Sequence, residues 1–534
     1  MRDKLVILAL CLLSSVLLSL PWLVPGCGVV ALVGFVPLLF ADAIADQIHL
    51  KRFWLYCFAS FVVWNAATTF WVCNATVGGG IFAVVANAAQ MLLVWCIFRF
   101  SKKRLGGVLP YMFLAAMWIA WERRYFSVDI SWPWLTLGNA FARSTRLVQW
   151  YEYTGTVGGS LWVWCVNLGV FGLVNALGSG MWHRWTRAAR ISSVLAFVLV
   201  SVGPVVLSLS MYSNYVEKSE GTVDVLIAQP NFDPYEKFES LTQSQQTEIL
   251  LGQYEEALAD RDSVLMLAPE TFTSGLFLNS PLSCPTVQSS MELLRRHPGS
   301  GIIMGASSYD IYDTRSAPSI LARQYGDRWI ESHNSAISID TAGIRDIYHK
   351  SKLVVGTELT PYPKIFVPLD NWLSKKMGVG GLMARDVGQK EISLLRYGNV
   401  PVGCAVCYES IYGEFCTGYV KKGAKLMTVI TNDAWWGDTP GYRQHLSYSC
   451  LRAIELRRDI ARCGNTGISC FIDQKGDIVS RTSWWDRETL PGTVNLNSEE
   501  TFFVRNGDIA GRVCTLVFLL MLLLLVARTF VPRH

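Results

Sequence analysis

The fold of this 534-residue chain is indicated most clearly by one stretch, Val402-Gly-Cys-Ala-Val-Cys407-Tyr-Glu409. Its first five residues are small or apolar, with two β-branched valines, as in a strand buried on both faces. The strand ends on a thiol, and a carboxylate follows two residues later. Ligands of an open α/β sheet bind beyond the carboxyl ends of its strands, so Cys407 is a candidate nucleophile. Taken alone, it could equally be a buried core thiol.

Two further strand ends carry reactive groups. Leu265-Met-Leu-Ala-Pro-Glu270 ends in a carboxylate, and Tyr348-His-Lys350 ends in an ammonium group. A cysteine attacks an ester or amide as a thiolate, so it needs a base such as Glu270. A positive charge such as Lys350 would stabilise the developing oxyanion. The three strand ends together predict a nucleophilic site, although singly Glu270 could cap a helix and Lys350 could be a solvated surface lysine.

These strand ends lie in a polar region, residues 212–509. The region has no apolar run of 18 residues and alternates short β-rich segments with helical ones, which predicts a layered α/β domain. The predicted strands cover residues 223–229, 263–268, 301–306, 402–407 and 425–431. The predicted helices cover residues 241–258, 286–297 and 441–461.

Apolar runs of membrane-spanning length flank this domain. Hydrophobic residues make up 51% of the chain and charged residues 17%, a balance typical of membrane proteins. If the first run is divided at Pro21 and Pro25, the spans are 5–23, 28–46, 53–73, 80–98, 107–122, 157–178, 190–211 and 510–530. We therefore expect a transmembrane domain over residues 1–211 and a last span with a tail over 510–534. The first run could instead be a signal peptide, although no small-x-small cleavage site follows it.

Basic residues predict the orientation of these spans. If eight spans alternate, one side of the membrane receives the basic clusters at residues 2–4, 51–52, 102–104, 184–190 and 528–533. The positive-inside rule then places both termini in the cytoplasm and residues 212–509 outside it. The segment 123–156 breaks the pattern with four arginines and is rich in tryptophan. We expect it to be an interfacial loop that lines a lipid entry.

Charge and cysteine patterns argue against several other classes. The net charge of +5 comes without a dense basic face, so the sequence gives no case for nucleic-acid binding. Seven of the 14 cysteines fall in residues 212–509, an odd number that does not suit a complete disulfide framework. Cys404 and Cys407 have CxxC spacing, but a strand would place them on opposite faces and no histidine cluster accompanies them. We expect no metal and no cofactor.

The order of Glu270, Lys350 and Cys407 on an α/β chain resembles the nitrilase superfamily. The eight-span frame resembles one membrane branch of it, the apolipoprotein N-acyltransferases. The resemblance covers nearly the whole chain and implies a nitrilase-like αββα sandwich inserted between spans of an eight-helix α-helical transmembrane domain. Local similarities lie at Trp132-Pro-Trp-Leu, Gln229-Pro-Asn, Thr431-Asn-Asp-Ala-Trp-Trp-Gly, Gln444-His-Leu, Arg452-Ala-Ile-Glu-Leu-Arg and Arg462-Cys-Gly-Asn-Thr-Gly.

The resemblance also assigns candidate roles. The family pattern places a glutamate eight residues after its catalytic lysine, which favours Lys350 with Glu358 over Lys352. Further supporting or substrate-binding residues would be Tyr408, Glu409, Phe238, Trp132 and Trp134. Phe238 departs from the family, which often has tryptophan there, because phenylalanine lacks the indole N–H donor.

The reaction that the resemblance implies has two half-reactions. Glu270 would take the proton of Cys407, and the thiolate would attack the sn-1 ester of a phospholipid, with phosphatidylethanolamine as the expected donor. The resulting thioester would then acylate the α-amine of the diacylglyceryl-cysteine of an apolipoprotein. Such an enzyme would be a multi-pass protein of the bacterial inner membrane with its catalytic domain in the periplasm, and we expect a monomer.

Acyl chains would need an apolar slot between the α/β domain and the spans. Candidate walls are Trp132, Trp134, Trp150, Phe238 and the arm at residues 363–385. This arm mixes apolar residues with glycines. We consider it a mobile lid, the alternative being a surface loop whose apolar residues pack on the domain.

Two other functions remain open from the sequence. The same three residues would serve a membrane-tethered amidase of the nitrilase type, with water as the acceptor. A transporter carrying an inactive enzyme domain is the other, but it should show charges within its spans. Few are present, at Asp42, Asp46 and Glu122.

Overall fold

The computed structural model of the protein describes residues 2–234, 240–258, 261, 263–378 and 381–530. The amino-terminal part is helical, and its last helix returns after the α/β domain. Its helices are α1 (Arg2–Leu23), α2 (Val36–Gln47), α3 (Phe53–Thr69), α4 (Val72–Ala75), α5 (Val77–Lys102), α6 (Leu109–Tyr125), α7 (Tyr151–Gly178), α8 (Met181–Arg184) and α9 (Arg187–Asn214).

Several of these helices are suited to a membrane. Within the described residues, six helical segments are long and apolar enough to cross one: Arg2–Leu23, Cys27–Gln47, Val77–Lys102, Tyr151–Gly178, Arg187–Asn214 and Ile509–Phe530. The predicted spans at 53–73 and 107–122 appear as α3 and α6, each 17 residues long. The fold is thus a nitrilase-like α/β domain joined to a helical membrane region, and the number of eight spans stays a prediction.

Helix α9 shows why this region needs a lipid environment. It places large apolar side chains on its surface, with Leu195 62% and Leu199 71% exposed. Exposed apolar surface of this extent is unfavourable in water but not in a bilayer. The backbone N–H and C=O groups of a helix are hydrogen-bonded to one another, so a helix needs no water to satisfy them. The structure therefore agrees with the composition in indicating a membrane protein.

The α/β domain contains two sheets. One has eight strands in the order β14-β1-β2-β4-β6-β5, with β3 beside β4 and β7 beside β6, and the other has six in the order β13-β12-β11-β10-β9-β8. The first seven strands are β1 (Thr222–Gln229), β2 (Leu265–Leu267), β3 (Thr273–Phe277), β4 (Gly301–Tyr312), β5 (Arg323–Tyr325), β6 (Arg328–Asp340) and β7 (Gly343–His349). The others are β8 (Leu395–Tyr397), β9 (Val400–Val406), β10 (Leu426–Thr431), β11 (Ile460–Gly464), β12 (Cys470–Ile472), β13 (Ile478–Arg481) and β14 (Glu488–Asn495).

The chain beyond β1 also contains helices, several of which cover the outer faces of the two sheets. They are α10 (Gln243–Leu258), α11 (Pro285–Arg296), α12 (Pro363–Met377), α13 (Gly413–Lys421) and α14 (Pro440–Leu456), followed by α15 (Phe502–Asn506) and α16 (Ile509–Phe530). Alternation along β1 explains the layering, because Val225 and Ile227 pack between the sheets while Leu226 and Ala228 pack under the helices α10 and α11. The order of layers is helix, sheet, sheet, helix.

The predicted helix at 441–461 was too long. Helix α14 ends at Leu456, and Arg457 takes a left-handed conformation with φ of 47°. The chain then turns into strand β11 at Ile460. The connecting residues, Arg457-Arg-Asp459, contain neither glycine nor proline, so no residue with a strong turn preference marks the end of the helix.

The segment 123–156, predicted as an interfacial loop, is largely buried. It forms three short 3-10 turns at Pro133–Leu135, Leu137–Phe141 and Thr145–Leu147, and most of its side chains are buried. Trp134 is fully buried, and its indole N–H donates to Gln444 of helix α14 at 2.7 Å. This segment therefore joins the membrane helices to the α/β domain.

Gly305 of strand β4 lies against the backbone that follows β2, and a substitution there tests how tight this packing is. A Cβ there would lie 2.4 Å from the amide nitrogen of Thr271 and 2.5 Å from the Cα of Glu270. We expect Gly305→Ala to destabilise the protein by about 1–3 kcal/mol, because backbone atoms cannot move aside as a side chain can. Thermal unfolding in detergent would measure it.

Gly252→Ala is the matched control, because a Cβ on that helical glycine meets open space. We expect it to leave the melting temperature unchanged or to raise it, since alanine favours a helix by up to about 1 kcal/mol. Equal melting temperatures for the two variants would contradict this account of the packing around β2.

Candidate active site

Three strand ends converge at the edge of the two sheets. Glu270 follows β2, Lys350 follows β7 and Cys407 follows β9, as the sequence predicts. The Lys350 ammonium donates to Oε1 of Glu270 at 2.9 Å, and all three side chains line one cavity. Each is at least nine-tenths buried, so their charges interact with little screening by water.

Glu358 and Asn334 complete the charged network. The ammonium of Lys350 also donates to Oε1 of Glu358 at 2.9 Å, which fits the predicted spacing. The amide Nδ2 of Asn334 donates to Glu270 at 2.7 Å and to Glu358 at 2.6 Å. Sequence reasoning missed Asn334. It lies in β6 among other polar residues, Ser332, His333 and Ser335, so the sequence does not mark it as part of the site.

Lys352, the alternative lysine, lies elsewhere. Its ammonium faces the aromatic rings of Tyr412 at 5.3 Å and Phe415 at 5.7 Å. The structure therefore brings Lys350, and not Lys352, to Glu270 and Cys407.

Burial and neighbouring charges shift the pKa values of Glu270 and Lys350 in opposite directions. Burial alone would raise the pKa of Glu270, but the Lys350 ammonium outweighs it and holds the pKa below its usual value. Burial would lower the pKa of Lys350, but Glu270 and Glu358 raise it well above the ordinary value. Burial raises the pKa of Cys407 well above its ordinary value, and the charge of Glu270 adds to this. The site therefore rests with a thiol, a carboxylate base and an ammonium group.

The backbone at Cys407 is held in an uncommon conformation. Its φ is 51°, the left-handed region, which costs a residue with a side chain on the order of 1 kcal/mol. A 3-10 turn, Cys407–Ile411, begins here. The carbonyl oxygen of Cys407 accepts from Ser410 Oγ at 2.8 Å and faces His445 Nε2 at 3.0 Å.

Glu409 is a buried carboxylate that joins two of the strand ends. Its Oε1 accepts from the Tyr348 hydroxyl at 2.7 Å and from the Ser351 N–H at 2.7 Å. Its Oε2 accepts from the Val406 N–H at 2.9 Å. Glu409 thus ties the segment that carries Lys350 to the strand that carries Cys407.

The site opens into a cavity of about 670 Å³, a size typical of sites for small molecules and lipids. Trp132 and Trp134 line it, and Tyr408 stacks on Trp132 with ring centroids 6.1 Å apart. The membrane helix α5 forms another wall through small or apolar residues: Gly79, Phe82, Ala83 and Ala86.

The other predicted wall residues have different outcomes. Trp150 does not line the cavity, and packs instead on Tyr151 at 4.9 Å and Trp162 at 5.8 Å. Of the arm at residues 363–385, the stretch 382–384 is the part that reaches the cavity among the residues that the structure describes, 363–378 and 381–385, and helix α12 lies outside it. Phe238 lies outside the described residues.

Cys407, Asp433 and His445 are the one group of potential metal-binding side chains within the described residues. Both oxygens of Asp433 are already engaged, Oδ1 with His445 at 2.9 Å and Oδ2 with Arg462 at 2.5 Å. The guanidinium beside the carboxylate would repel a metal ion. This donor set therefore does not suit a metal.

Comparison with known proteins agrees with this geometry. The carbon-nitrogen hydrolase family model matches residues 226–502, and the model of the apolipoprotein N-acyltransferase N-terminal domain matches residues 14–169. The chain belongs to the carbon-nitrogen hydrolases, in their apolipoprotein N-acyltransferase branch. This membership agrees with a charged site at strand ends that opens onto membrane helices.

Relatives of this family extend along almost the whole chain. The apolipoprotein N-acyltransferase of Chlorobaculum tepidum is 27% identical over 94% of this chain and 93% of the relative. That of Geobacter metallireducens is 26% identical over 94% of this chain and 92% of the relative. Among solved structures, Nit3 of Saccharomyces cerevisiae, a member of branch 10 of the nitrilase superfamily, has a TM-score of 0.35 at 14% identity and covers 55% of this chain and 97% of that chain.

Asn334 provides a test of the charged network. Asn334→Asp would place a third carboxyl group against Glu270 and Glu358 and remove both amide donors. Like charges raise one another's pKa values, so this repulsion is present at pH 7 and is relieved by protonation. We expect a lower melting temperature than wild type at pH 7 and a smaller deficit at pH 5.

Asn399→Asp, at an exposed position in the turn between β8 and β9, is the control for the added charge. We expect it to change the melting temperature little at either pH. A deficit for Asn334→Asp that does not shrink on acidification would contradict the proposed repulsion.

Proposed function

We propose that this chain is an apolipoprotein N-acyltransferase that transfers the sn-1 acyl chain of a phospholipid, through a thioester on Cys407, to the α-amine of a lipoprotein's diacylglyceryl-cysteine. One observation carries the proposal. The Glu270–Lys350–Cys407 group lies in a cavity that is also lined by membrane helix α5. A water-soluble amide would have no need of such a wall, whereas a lipid acyl chain would.

The first half-reaction forms the thioester. Glu270 takes the proton of the Cys407 thiol, and Sγ attacks the sn-1 ester carbon. The oxyanion is held by the Lys350 ammonium and by the backbone N–H of Tyr408, which stands at the start of a 3-10 turn where N–H groups have no acceptor within the turn. When the ester C–O bond breaks, Glu270 returns the proton to the leaving lysophospholipid oxygen.

The second half-reaction uses the same groups in reverse. The α-amine of the diacylglyceryl-cysteine attacks the thioester carbon, and Glu270 accepts the proton that the amine loses. The C–S bond breaks, an amide forms, and Cys407 is restored. Such ping-pong catalysis requires that Glu270 be ionised at the start of each half, which its lowered pKa provides.

The surrounding groups would support this chemistry. Glu358 and Asn334 would orient Lys350 and Glu270, and Glu409 would hold the segments that carry Lys350 and Cys407. Trp132 and Trp134 would contact the acyl chains or the headgroup region. Phosphatidylethanolamine is the proposed donor and a diacylglyceryl-apolipoprotein the acceptor, and neither step calls for a cofactor or a second protomer.

An amidase that uses water is the second candidate. The same triad would serve it, but the apolar cavity between the domain and α5 argues against water as the usual acceptor. The two functions differ in where the acyl chain ends, on an amine or as a free acid.

We further propose eight spans in the bacterial inner membrane, with both termini in the cytoplasm and residues 212–509 in the periplasm. The distribution of basic residues supports this orientation. The lengths of α3 and α6 support two spans besides the six longer segments, because 17 residues approach the thickness of a bilayer core.

The acyl-enzyme gives the direct test of function. We expect wild-type protein in detergent to gain the mass of a fatty-acyl group after incubation with phosphatidylethanolamine, and to lose it when a diacylglyceryl-cysteine peptide is added. Cys407→Ala should gain no mass. Intact-mass spectrometry would measure both.

Cys404→Ala is the matched control, because Cys404 is equally buried but does not line the cavity. It should form the adduct as wild type does. Adduct formation by Cys407→Ala would exclude the proposed nucleophile, and release of free fatty acid without transfer to the peptide would favour the amidase.

Reporter fusions would test the orientation. Alkaline phosphatase, which is active only in the periplasm, should be active when fused after Lys218 and inactive when fused after Arg104. The reverse pattern would overturn the orientation that we propose.

A further inference from the structure

The carbonyl oxygen of Cys407 is held by a buried group that the proposed reaction does not yet use. His445 is fully buried on helix α14, and its Nε2 lies 3.0 Å from this oxygen. A carbonyl oxygen can only accept, so this contact is a hydrogen bond in the form of the ring that carries a hydrogen on Nε2, and Ser410 Oγ lies 3.1 Å from the same nitrogen. Ser410 Oγ donates to the same oxygen at 2.8 Å.

A second set of contacts fixes the imidazole ring from its other side. Nδ1 of His445 lies 2.9 Å from Oδ1 of Asp433, and Oδ2 of Asp433 accepts from Arg462 at 2.5 Å. Burial would raise the pKa of Asp433, but the charge of Arg462 outweighs it and holds the pKa well below the usual range. Asp433 is therefore an ionised acceptor, and it keeps the ring turned so that Nε2 points to Cys407.

This contact also orients the peptide unit between Cys407 and Tyr408. In a trans peptide unit, the C=O of one residue and the N–H of the next point in opposite directions. Fixing the carbonyl of Cys407 therefore also fixes the direction of the Tyr408 N–H. That N–H is the backbone donor that the proposed mechanism assigns to the oxyanion.

We infer that His445, oriented by Asp433, is a positioning residue that sets the oxyanion-binding N–H of Tyr408 by holding the carbonyl of Cys407. The φ of 51° at Cys407 makes such a restraint necessary, because this conformation is not one that a cysteine adopts by preference. The inference rests on the proposed thioester chemistry, since it concerns the oxyanion that forms when Cys407 is acylated.

Two amide substitutions separate the roles of the two ring nitrogens. In His445→Gln the side-chain amide nitrogen reaches the place of Nε2, and in His445→Asn it reaches only the place of Nδ1. We expect His445→Asn to slow thioester formation from phosphatidylethanolamine by about 10- to 100-fold, less than or equal to the loss of a whole oxyanion donor. His445→Gln should recover most of this rate.

Alkylation of Cys407 by iodoacetamide provides the readout that distinguishes positioning from general damage. This reaction forms an S–C bond and releases iodide, and no oxyanion develops. His445→Asn should therefore be alkylated at the wild-type rate while its thioester formation is slow. Ser410→Ala, a smaller change, should show the same pattern with a smaller defect and serves if His445→Asn does not fold.

Three results would overturn the inference. Thioester formation at the wild-type rate in His445→Asn would show that the contact is not needed. A parallel loss of alkylation would show that His445 acts on the thiol or on the fold instead. Equal defects in His445→Gln and His445→Asn would show that the Nε2 donor is not what matters.

A p-nitrophenyl ester should be used as a second acyl donor in the same assays. If wild type reacts with this ester but not with phosphatidylethanolamine, the proposed function fails while the role of His445 is still measured on the ester. If wild type reacts with neither, both proposals fail.

Discussion

The ion pairs that the buried Lys350 ammonium forms with Glu270 and Glu358 are the interactions on which the site depends. An unpaired charge in this environment would cost several kcal/mol, so the group is stable only because Glu270 and Glu358 each accept from it at 2.9 Å. The pairing keeps Glu270 ionised as a base and leaves Lys350 charged beside the thiol. Glu270 and Lys350 follow strands of the eight-stranded sheet whereas Cys407 follows a strand of the six-stranded sheet, so placing the thiol beside the pair requires that the two sheets meet in one register.

Helix α14 connects the site to the membrane helices through hydrogen bonds. Gln444 accepts from the Trp134 indole and donates to the backbone of α3 at Thr68. Arg452 and Glu455 form a buried pair that contacts Thr156 of α7 and the carbonyl of Ile411, which ends the turn begun at Cys407. The nucleophile is thus fixed from the membrane side as well as from the sheet.

This arrangement explains how a hydrolase fold can favour transfer over hydrolysis. The cavity is lined mainly by apolar groups from α5 and by Trp132 and Trp134, so an acyl chain can occupy it and exclude water from the thioester. In the proposed reaction the acceptor amine must then reach Cys407 along the same membrane-facing path. In that reaction the helical region would be part of the substrate site and not only an anchor.

The local features and the family could be inferred from the sequence alone. Short β-rich runs indicated the buried strands, long apolar runs indicated the membrane helices, and the eight-residue spacing typical of the family that the sequence resembles favoured Lys350 with Glu358 over Lys352. These signals are local, so they survive without knowledge of what lies across the fold. Only the tertiary structure decided the rest: Asn334 bridging two glutamates, Glu409 joining two segments, His445 facing the carbonyl of Cys407, and Trp150 lying away from the cavity. Each of these depends on contacts between residues far apart in the chain, where a single polar or aromatic side chain carries no sign of its partner until packing has fixed both.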